Sequence, residues 1–86
     1  MSSGDDTARV EIRFFGPLTD LVPTPVTTTE LSLPCTVAQI RQYLEGRAPK
    51  LAGRPYRIAV DEVIRKEEDT ISSIREIALL PPFAGG

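Results

Sequence analysis

The sequence predicts an α+β fold in which a mixed, four- to five-stranded sheet carries one main helix packed on one face. Three observations predict it. Apolar residues alternate with polar ones in several short segments, a single segment has helical periodicity, and prolines, glycines or charged residues separate these segments. The 86 residues are 41% hydrophobic and 26% charged, which is typical of one small globular domain.

The N-terminal third predicts two strands joined by a turn. Residues 1–8 are small and polar, and we expect them to form a disordered lead-in to a domain of residues 9–80. The first strand has the period-two alternation of a half-buried strand and stops at Gly16. A turn or a single helical turn follows, and residues 26–33, rich in β-branched side chains, predict the second strand. The inward-facing residues of the first strand are Val10, Ile12 and Phe14.

One segment has a strong helical pattern, and it begins at Thr36. The Thr36 hydroxyl can cap the helix, and Gln39 three residues later completes a capping box. One apolar stripe would face the sheet. Its members are Val37, Ile40, Tyr43 and Leu44. We expect the helix to end at Gly46 or at the pair Ala48-Pro49.

The C-terminal half predicts three further strands. Residues 56–60 alternate again, residues 61–62 form a tight turn, and residues 63–65 make a short fourth strand. The polar run 66–73 is expected to be a solvated connection, and residues 76–80 form the last strand. This order, β-β-α-β-β-β, is the β-grasp arrangement, in which the first and last strands lie side by side and parallel at the middle of the sheet.

Composition excludes several classes of function. Ten basic against twelve acidic residues give a net charge of −2, so the chain has no basic excess for nucleic acid. The chain has no His and one cysteine, Cys35, so it lacks the usual general base and the usual metal ligands. We therefore expect no metal site and no independent hydrolase. Cys35 is interpreted as a small, buried apolar residue.

The chain also lacks the features of a membrane or secreted protein. No apolar run approaches the ~20 residues of a membrane helix, and the first residues lack the apolar region of a signal peptide. We expect a cytoplasmic protein with no membrane partner.

The sequence ends in PPFAGG, and from Val10 onward the chain resembles the ubiquitin-like sulfur carriers. The matching segments are VEIRFFG, TVAQIRQYL, IAVDEVI and IALLPPFAGG. This ending is most similar to that of molybdopterin synthase small subunits, because it has two prolines, an apolar residue, a small residue and two glycines in that order. Two positions depart from that family: Ile74-Arg75 stands where a Gly-Asp turn is common, and Thr19 where an Arg is frequent.

The resemblance implies that residues 81–86 are a flexible, sulfur-carrying tail and that Gly86 is the reacting residue. A separate ubiquitin-activating-like adenylyltransferase would use ATP to form an adenylate at Gly86, and a sulfur donor would convert it to a thiocarboxylate. The chain would bind no cofactor and would not be catalytic alone. It would serve as the sulfur-carrier subunit of a heterotetramer with the molybdopterin synthase large subunit. The other tail residues are Pro81, Pro82, Phe83, Ala84 and Gly85.

The chemistry of the tail agrees with this role. A terminal carboxylate is ionised and unreactive at neutral pH, with a pKa of about 3.3–3.7, and must be activated. Glycine at the last two positions carries no side chain and adopts whatever backbone angles a narrow channel imposes. Six extended residues reach at most ~20 Å, which is enough to enter a partner's buried site.

Strand alternation also predicts a docking patch. If the helix covers the face with Phe14 and Leu79, then Phe15 and Leu80 point to the uncovered face, near the base of the tail. By the same alternation, Ile64 points to the uncovered face and its neighbour Val63 points to the opposite face. Phe15, Ile64 and Leu80 would form an exposed apolar surface for a partner protein.

Three alternatives remain open from the sequence. In the first, the chain is a sulfur carrier for another acceptor, such as the thiamine thiazole or a tRNA base. In the second, it is a ubiquitin-like modifier that forms isopeptide bonds. In the third, it is a plain interaction domain whose two final glycines are incidental. The acidic run 67–69 is either a solvated loop or a contact for basic residues of the activating enzyme.

Overall fold

A computed structural model describes residues 7–82, and these residues contain seven strands and one α-helix. Helix α1 spans Val37–Arg47, and two 3₁₀ segments span Gly16–Leu21 and Pro49–Leu51. The strands are β1 (Thr7–Phe14), β2 (Val26–Ser32), β3 (Cys35–Thr36), β4 (Arg57–Val60), β5 (Val63–Ile64), β6 (Thr70–Ile71) and β7 (Glu76–Leu80). No helix of the described residues is long and apolar enough to cross a membrane.

The main sheet has five strands in the order β2-β1-β7-β4-β5. Strand β1 is antiparallel to β2 and parallel to β7, and β7 is antiparallel to β4. The first and last strands are therefore parallel neighbours in the interior of the sheet, which confirms the β-grasp prediction. Strand β1 begins at Thr7, which pairs with Ser32, so the strand takes up the last two residues expected in the lead-in. Residues 1–6 lie outside the described part of the chain.

Helix α1 covers one face of this sheet, and the core lies between them. Alternate residues of β1 and β7 point into the core because side chains of a strand alternate between its two faces. The predicted helix stripe is confirmed, with Tyr43 at its half-buried edge. Core residues that are essentially inaccessible are Val10, Val37, Ile40, Leu51, Ile58, Ile71, Ile77 and Leu79.

The capping box predicted at Thr36 is present. Thr36 Oγ1 accepts from Gln39 N at 3.1 Å, and Gln39 Oε1 accepts from Thr36 N at 2.9 Å. The next two backbone N–H groups of α1, at Val37 and Ala38, are also satisfied, because they donate to the carbonyl oxygens of Asp69 and Glu67 at 3.0 Å each. The first-turn donors that a helix normally leaves unpaired are thus all occupied.

The acidic run therefore caps α1 with its backbone, and the expectation of a purely solvated connection over 66–73 was wrong. Strand β6 within this run pairs with β3, and Ile71 is buried in the core. The side chains are also engaged: Glu67 accepts from Arg41 at 2.6 Å, and Asp69 accepts from Arg65 at 3.1 Å. A two-residue strand has no alternation that a sequence pattern could detect.

The predicted turn at residues 61–62 is confirmed. Asp61 and Glu62 have positive φ angles of 49° and 73°, which suit a two-residue hairpin between β4 and β5. Asp61 Oδ1 also accepts the N–H groups of Arg75 and Glu76 at 2.9 Å each. The turn is thereby tied to the start of β7, the strand from which the C-terminal segment departs.

Candidate functional site

The sheet face that α1 does not cover is a shallow, mixed apolar and charged surface, here called the open face. Strand pairing places Arg13 beside Ala78, Ala78 beside Ala59, and Ala59 beside Ile64, so these residues form one row across four strands. The two small alanines in this row leave a depression of ≈ 580 Å³. The floor of the open face is therefore backbone and methyl groups, and its rim is larger side chains.

The structure brings together the three residues that alternation predicted on this face. Phe15, Ile64 and Leu80 all line the depression. Phe15 is 42% exposed and Ile64 52% exposed, whereas Leu80 is half-buried because it belongs to the central strand β7 and has neighbours on both sides. The position of the patch agrees with the alternation argument, but Leu80 contributes less accessible surface than expected.

Sequence reasoning missed two features of the open face. Val26 is 45% exposed and pairs directly with Arg13, so it extends the apolar rim onto β2. At the centre, Arg13 Nη2 lies 3.2 Å from Glu11 Oε2, and Arg13 Nε lies 2.7 Å from Glu76 Oε2. The Arg13 Nε–H does not point at that oxygen, so the second contact is an ion pair without a hydrogen bond. The same alternation that located Phe15 places Glu11 and Arg13 beside it, and could have found this cluster.

This charged cluster contributes little to the stability of the domain. Arg13 and its two partners are partly exposed, and exposed ion pairs contribute only about 0–1 kcal/mol. The charges nevertheless lie in the middle of an apolar rim, where a docked partner would have to satisfy them. The open face therefore offers both an apolar contact and a charge requirement.

The C-terminal segment leaves the sheet at one end of the open face. The Phe15 N–H donates to Leu79 O at 3.1 Å, so pairing between the first and last strands continues one residue beyond β1. Pro81 is half-buried and Pro82 is exposed. Neither proline has an N–H to continue a sheet, which explains why β7 ends at Leu80. The other predicted tail residues, Phe83, Ala84, Gly85 and Gly86, lie outside the described residues.

The sulfur of Cys35 lies in a different part of the molecule from the base of the tail. Cys35 is half-buried in β3, where it pairs with Ile71 in a two-stranded sheet separate from the main one. Burial raises the pKa of the Cys35 thiol, so the thiol holds its proton more firmly than an exposed cysteine does. Within residues 7–82, no group of three or more His, Cys, Asp or Glu side chains is placed to hold a metal ion.

Residues 7–82 thus form a β-grasp domain with a mixed apolar and charged open face, and the C-terminal segment leaves the sheet at one end of that face. The sequence profile of the ThiS family matches residues 12–86, which includes all of the last six residues. This chain belongs to the ThiS family. This membership agrees with the resemblance of the sequence to the ubiquitin-like sulfur carriers.

Solved structures share this fold at low sequence identity. A putative molybdopterin converting factor subunit 1 from Pyrococcus furiosus has a TM-score of 0.75 and 15% identity, covering 86% of this chain and 97% of its own. Small archaeal modifier protein 1 from Haloferax volcanii has a TM-score of 0.73 and 18% identity, covering 87% and 98%. Its namesake from Methanosarcina acetivorans has a TM-score of 0.66 and 20% identity, covering 93% and 98%. These likenesses establish the β-grasp fold of the ThiS-family chain.

Proposed function

We propose that this chain carries sulfur on Gly86 as the small subunit of a molybdopterin synthase. Family membership through the final glycines supports the sulfur-carrying role. One structural observation carries the proposal further. The C-terminal segment starts from a central strand, directly beside the apolar rim formed by Phe15, Ile64 and Leu80. A partner that docks on the open face would therefore hold the base of the segment next to its own surface.

The chemistry assigned to Gly86 has two activation steps. A carboxylate oxygen attacks the α-phosphorus of ATP on a ubiquitin-activating-like adenylyltransferase, and pyrophosphate leaves. A sulfur nucleophile at the oxidation level of sulfide then attacks the Gly86 carbonyl carbon, and AMP leaves. The product is a thiocarboxylate, which is a better nucleophile than the carboxylate it replaces. We assign the catalytic groups for these steps to the partner enzyme, because the chain has no His to act as a general base.

Sulfur delivery completes the cycle. The thiocarboxylate sulfur attacks a carbon of the pterin precursor in the active site of the large subunit, and an oxygen substituent leaves that carbon as the new C–S bond forms. Water then cleaves the acyl C–S bond of the resulting thioester, which leaves the sulfur on the product. The Gly86 carboxylate is regenerated and can be activated again. We propose that both partners, the large subunit and the adenylyltransferase, bind to the open face. We also propose that the assembly with the large subunit is a heterotetramer and that the protein acts in the cytoplasm.

A second function has a specific observation in its favour. Two of the solved structures that share this fold are named small archaeal modifier proteins. Adenylation of Gly86 would then be followed by attack of a lysine amine rather than of sulfur, and the product would be an isopeptide. The two functions share the first step and diverge at the second nucleophile.

Intact-mass analysis of the chain, co-expressed with its cognate adenylyltransferase and a sulfur donor, tests the proposal. We expect a mass increase equal to the exchange of one oxygen for one sulfur, confined to the C-terminal peptide. The purified thiocarboxylate should then yield molybdopterin when mixed with the large subunit and its precursor. Higher-mass conjugates without the thiocarboxylate would favour the modifier function and contradict the proposal.

Tail variants test the role of Gly86 itself. Deletion of Gly86, or addition of one residue after it, should abolish sulfur transfer and leave the melting temperature unchanged, because the reacting carbonyl must arrive at a fixed reach. Addition of one residue at the N-terminus is the matched control and should have no effect. Normal product formation by a C-terminally extended chain that is shown to be untrimmed would refute the assignment.

A further inference from the structure

Gly16 and Pro81 occupy equivalent positions just beyond the two parallel central strands. Phe14 pairs with Leu79 in the β1–β7 register. Continuing this register by two residues places Gly16 opposite Pro81. At this point β1 turns away into the 3₁₀ segment, while the chain after β7 continues towards Gly86.

The two residues are in unusually close contact. Gly16 has a φ of +62°, and a Cβ atom added to it would lie 2.8 Å from Pro81 Cγ and 3.7 Å from Pro81 Cδ. Real Cβ atoms essentially never approach another carbon to 2.8 Å. The ring of Pro81 therefore occupies the space that any other residue at position 16 would need.

Both sides of this contact are anchored. Gly16 O accepts a hydrogen bond from the Thr19 hydroxyl at 2.9 Å. Leu18 is the buried residue of the 3₁₀ segment, and its N–H donates to Phe15 O at 3.2 Å. On the other side, the ring of Pro81 restricts its own φ to about −65°, which leaves the chain little freedom as it departs from Leu80. The proline pair also borders a groove of ≈ 170 Å³ on the 3₁₀ segment. The groove walls are Pro17, Leu18, Leu21, Arg54 and Pro55.

We propose that Gly16 is a positioning residue for the C-terminal segment: its missing side chain seats the Pro81 ring and so sets the direction in which the chain leaves the sheet towards Gly86. This inference rests on the proposed function, because it assigns to Gly16 a part in delivering Gly86 to a partner's active site. Small errors of position at a reacting atom have large effects on rate, and Pro81 is the first residue after the sheet on the way to Gly86.

Gly16 also has a simpler role, since its positive φ alone favours glycine. The chain contains a matched control for that role. Gly53 has a φ of +82°, but a Cβ added to it would meet nothing within 4 Å. Gly53→Ala therefore imposes a comparable backbone strain without displacing another residue. Gly16→Ala imposes the backbone strain and also displaces the ring of Pro81. The difference between the two variants isolates the contact with Pro81.

The test is a double-mutant cycle of Gly16→Ala and Pro81→Ala in the full chain, with Gly53→Ala and Pro82→Ala as controls. The readouts are the melting temperature, the affinity for the cognate adenylyltransferase, and the single-turnover rate of thiocarboxylate formation at saturating enzyme. We expect Gly16→Ala to lower the saturated rate about tenfold or more while affinity changes little. Gly53→Ala should leave the rate unchanged.

Pro81→Ala tests the same contact without strain at residue 16. It should slow the reaction more than Pro82→Ala, which removes an exposed ring that does not touch Gly16. In the double variant the two effects should not add, because the smaller alanine side chain at position 81 makes room for the new Cβ. NMR spectra should show changes at Pro81 and beyond in Gly16→Ala and not in Gly53→Ala.

Each outcome separates the inference from the proposed function. A wild-type chain that forms no thiocarboxylate overturns both. Thiocarboxylate formation by the wild type, with equal saturated rates for Gly16→Ala and Gly53→Ala, overturns the positioning role alone. If Gly16→Ala does not fold, a Pro81→Ala rate equal to that of Pro82→Ala overturns it in the same way.

Discussion

The two faces of the main sheet are built from the same strands but have opposite characters. In β1, Val10, Ile12 and Phe14 are buried under α1, while Glu11 and Arg13, which alternate with them, lie on the open face. In β7, Ile77 is inaccessible and its neighbour Ala78 lines the open depression. The covered face holds the fold together, whereas the open face presents charged and apolar side chains around two small alanines.

A domain as small as this one can still have a surface suited to a partner. Its core needs only one face of the sheet, so the other face can carry exposed apolar side chains whose replacement costs little folding free energy. Contiguous exposed apolar surface is typical of a protein interaction site. A change on the covered face should therefore affect stability, and a change on the open face should affect binding.

The largest expected effect is on stability, and a comparison of two isoleucines of the same sheet measures it. Ile77→Ala should lower the free energy of unfolding by about 2–5 kcal/mol, because Ile77 is completely buried and its loss leaves a cavity. Ile64→Ala, at a residue 52% exposed, should change it by no more than about 0.5 kcal/mol. Urea denaturation of both variants measures the difference. Similar losses for the two would show that the open face is part of the folding core.

The next effect concerns binding and tests substitutions on the open face. Phe15→Asp should weaken binding to the large subunit by about a hundredfold or more, because docking would bury an unpaired carboxylate. Its folding should stay cooperative. Leu80→Asp should weaken binding too, with some loss of stability because Leu80 is half-buried. Isothermal titration calorimetry and thermal melts provide the two measurements.

Val63→Asp is the matched control for Phe15→Asp. Val63 is 57% exposed, but it pairs with the core residue Val60 and therefore lies on the helix side of the sheet rather than on the open face. Its replacement should leave binding intact. Equal losses of affinity for the two aspartates would mean that exposed apolar character, and not the open face, determines docking.

The smallest expected effect is at Cys35, which lies away from both the open face and the base of the tail. Cys35→Ala should retain full thiocarboxylate formation and full delivery in single-turnover assays. Because burial raises the pKa of the Cys35 thiol, less thiolate exists at neutral pH than for an exposed cysteine, and the rate of alkylation by iodoacetamide should level off at a higher pH than it does for an exposed cysteine. A tenfold fall in rate at unchanged stability would give Cys35 a part in the reaction.

Local sequence signals predicted the features that depend on neighbouring residues. The capping box of Thr36 and Gln39 needs only a three-residue spacing, and the turn at Asp61-Glu62 needs only its own backbone angles. Alternation in β1 and β7 identified which side chains point away from the helix. It therefore located Phe15 and Leu80 on the open face, although burial of Leu80 depends on having a strand on each side.

Four features follow from the order and composition of the residues: the β-grasp order, the helix and its start, the lack of His that rules out a His-dependent mechanism, and the family to which the ending belongs. How distant segments meet is known only from the folded structure. It paired β3 with β6, used the carbonyls of Glu67 and Asp69 to cap α1, and seated Pro81 against Gly16. The physical reason is that a period or a cap is a property of consecutive residues, whereas these contacts join residues far apart along the chain, and their free energy exists only once the intervening loops have closed.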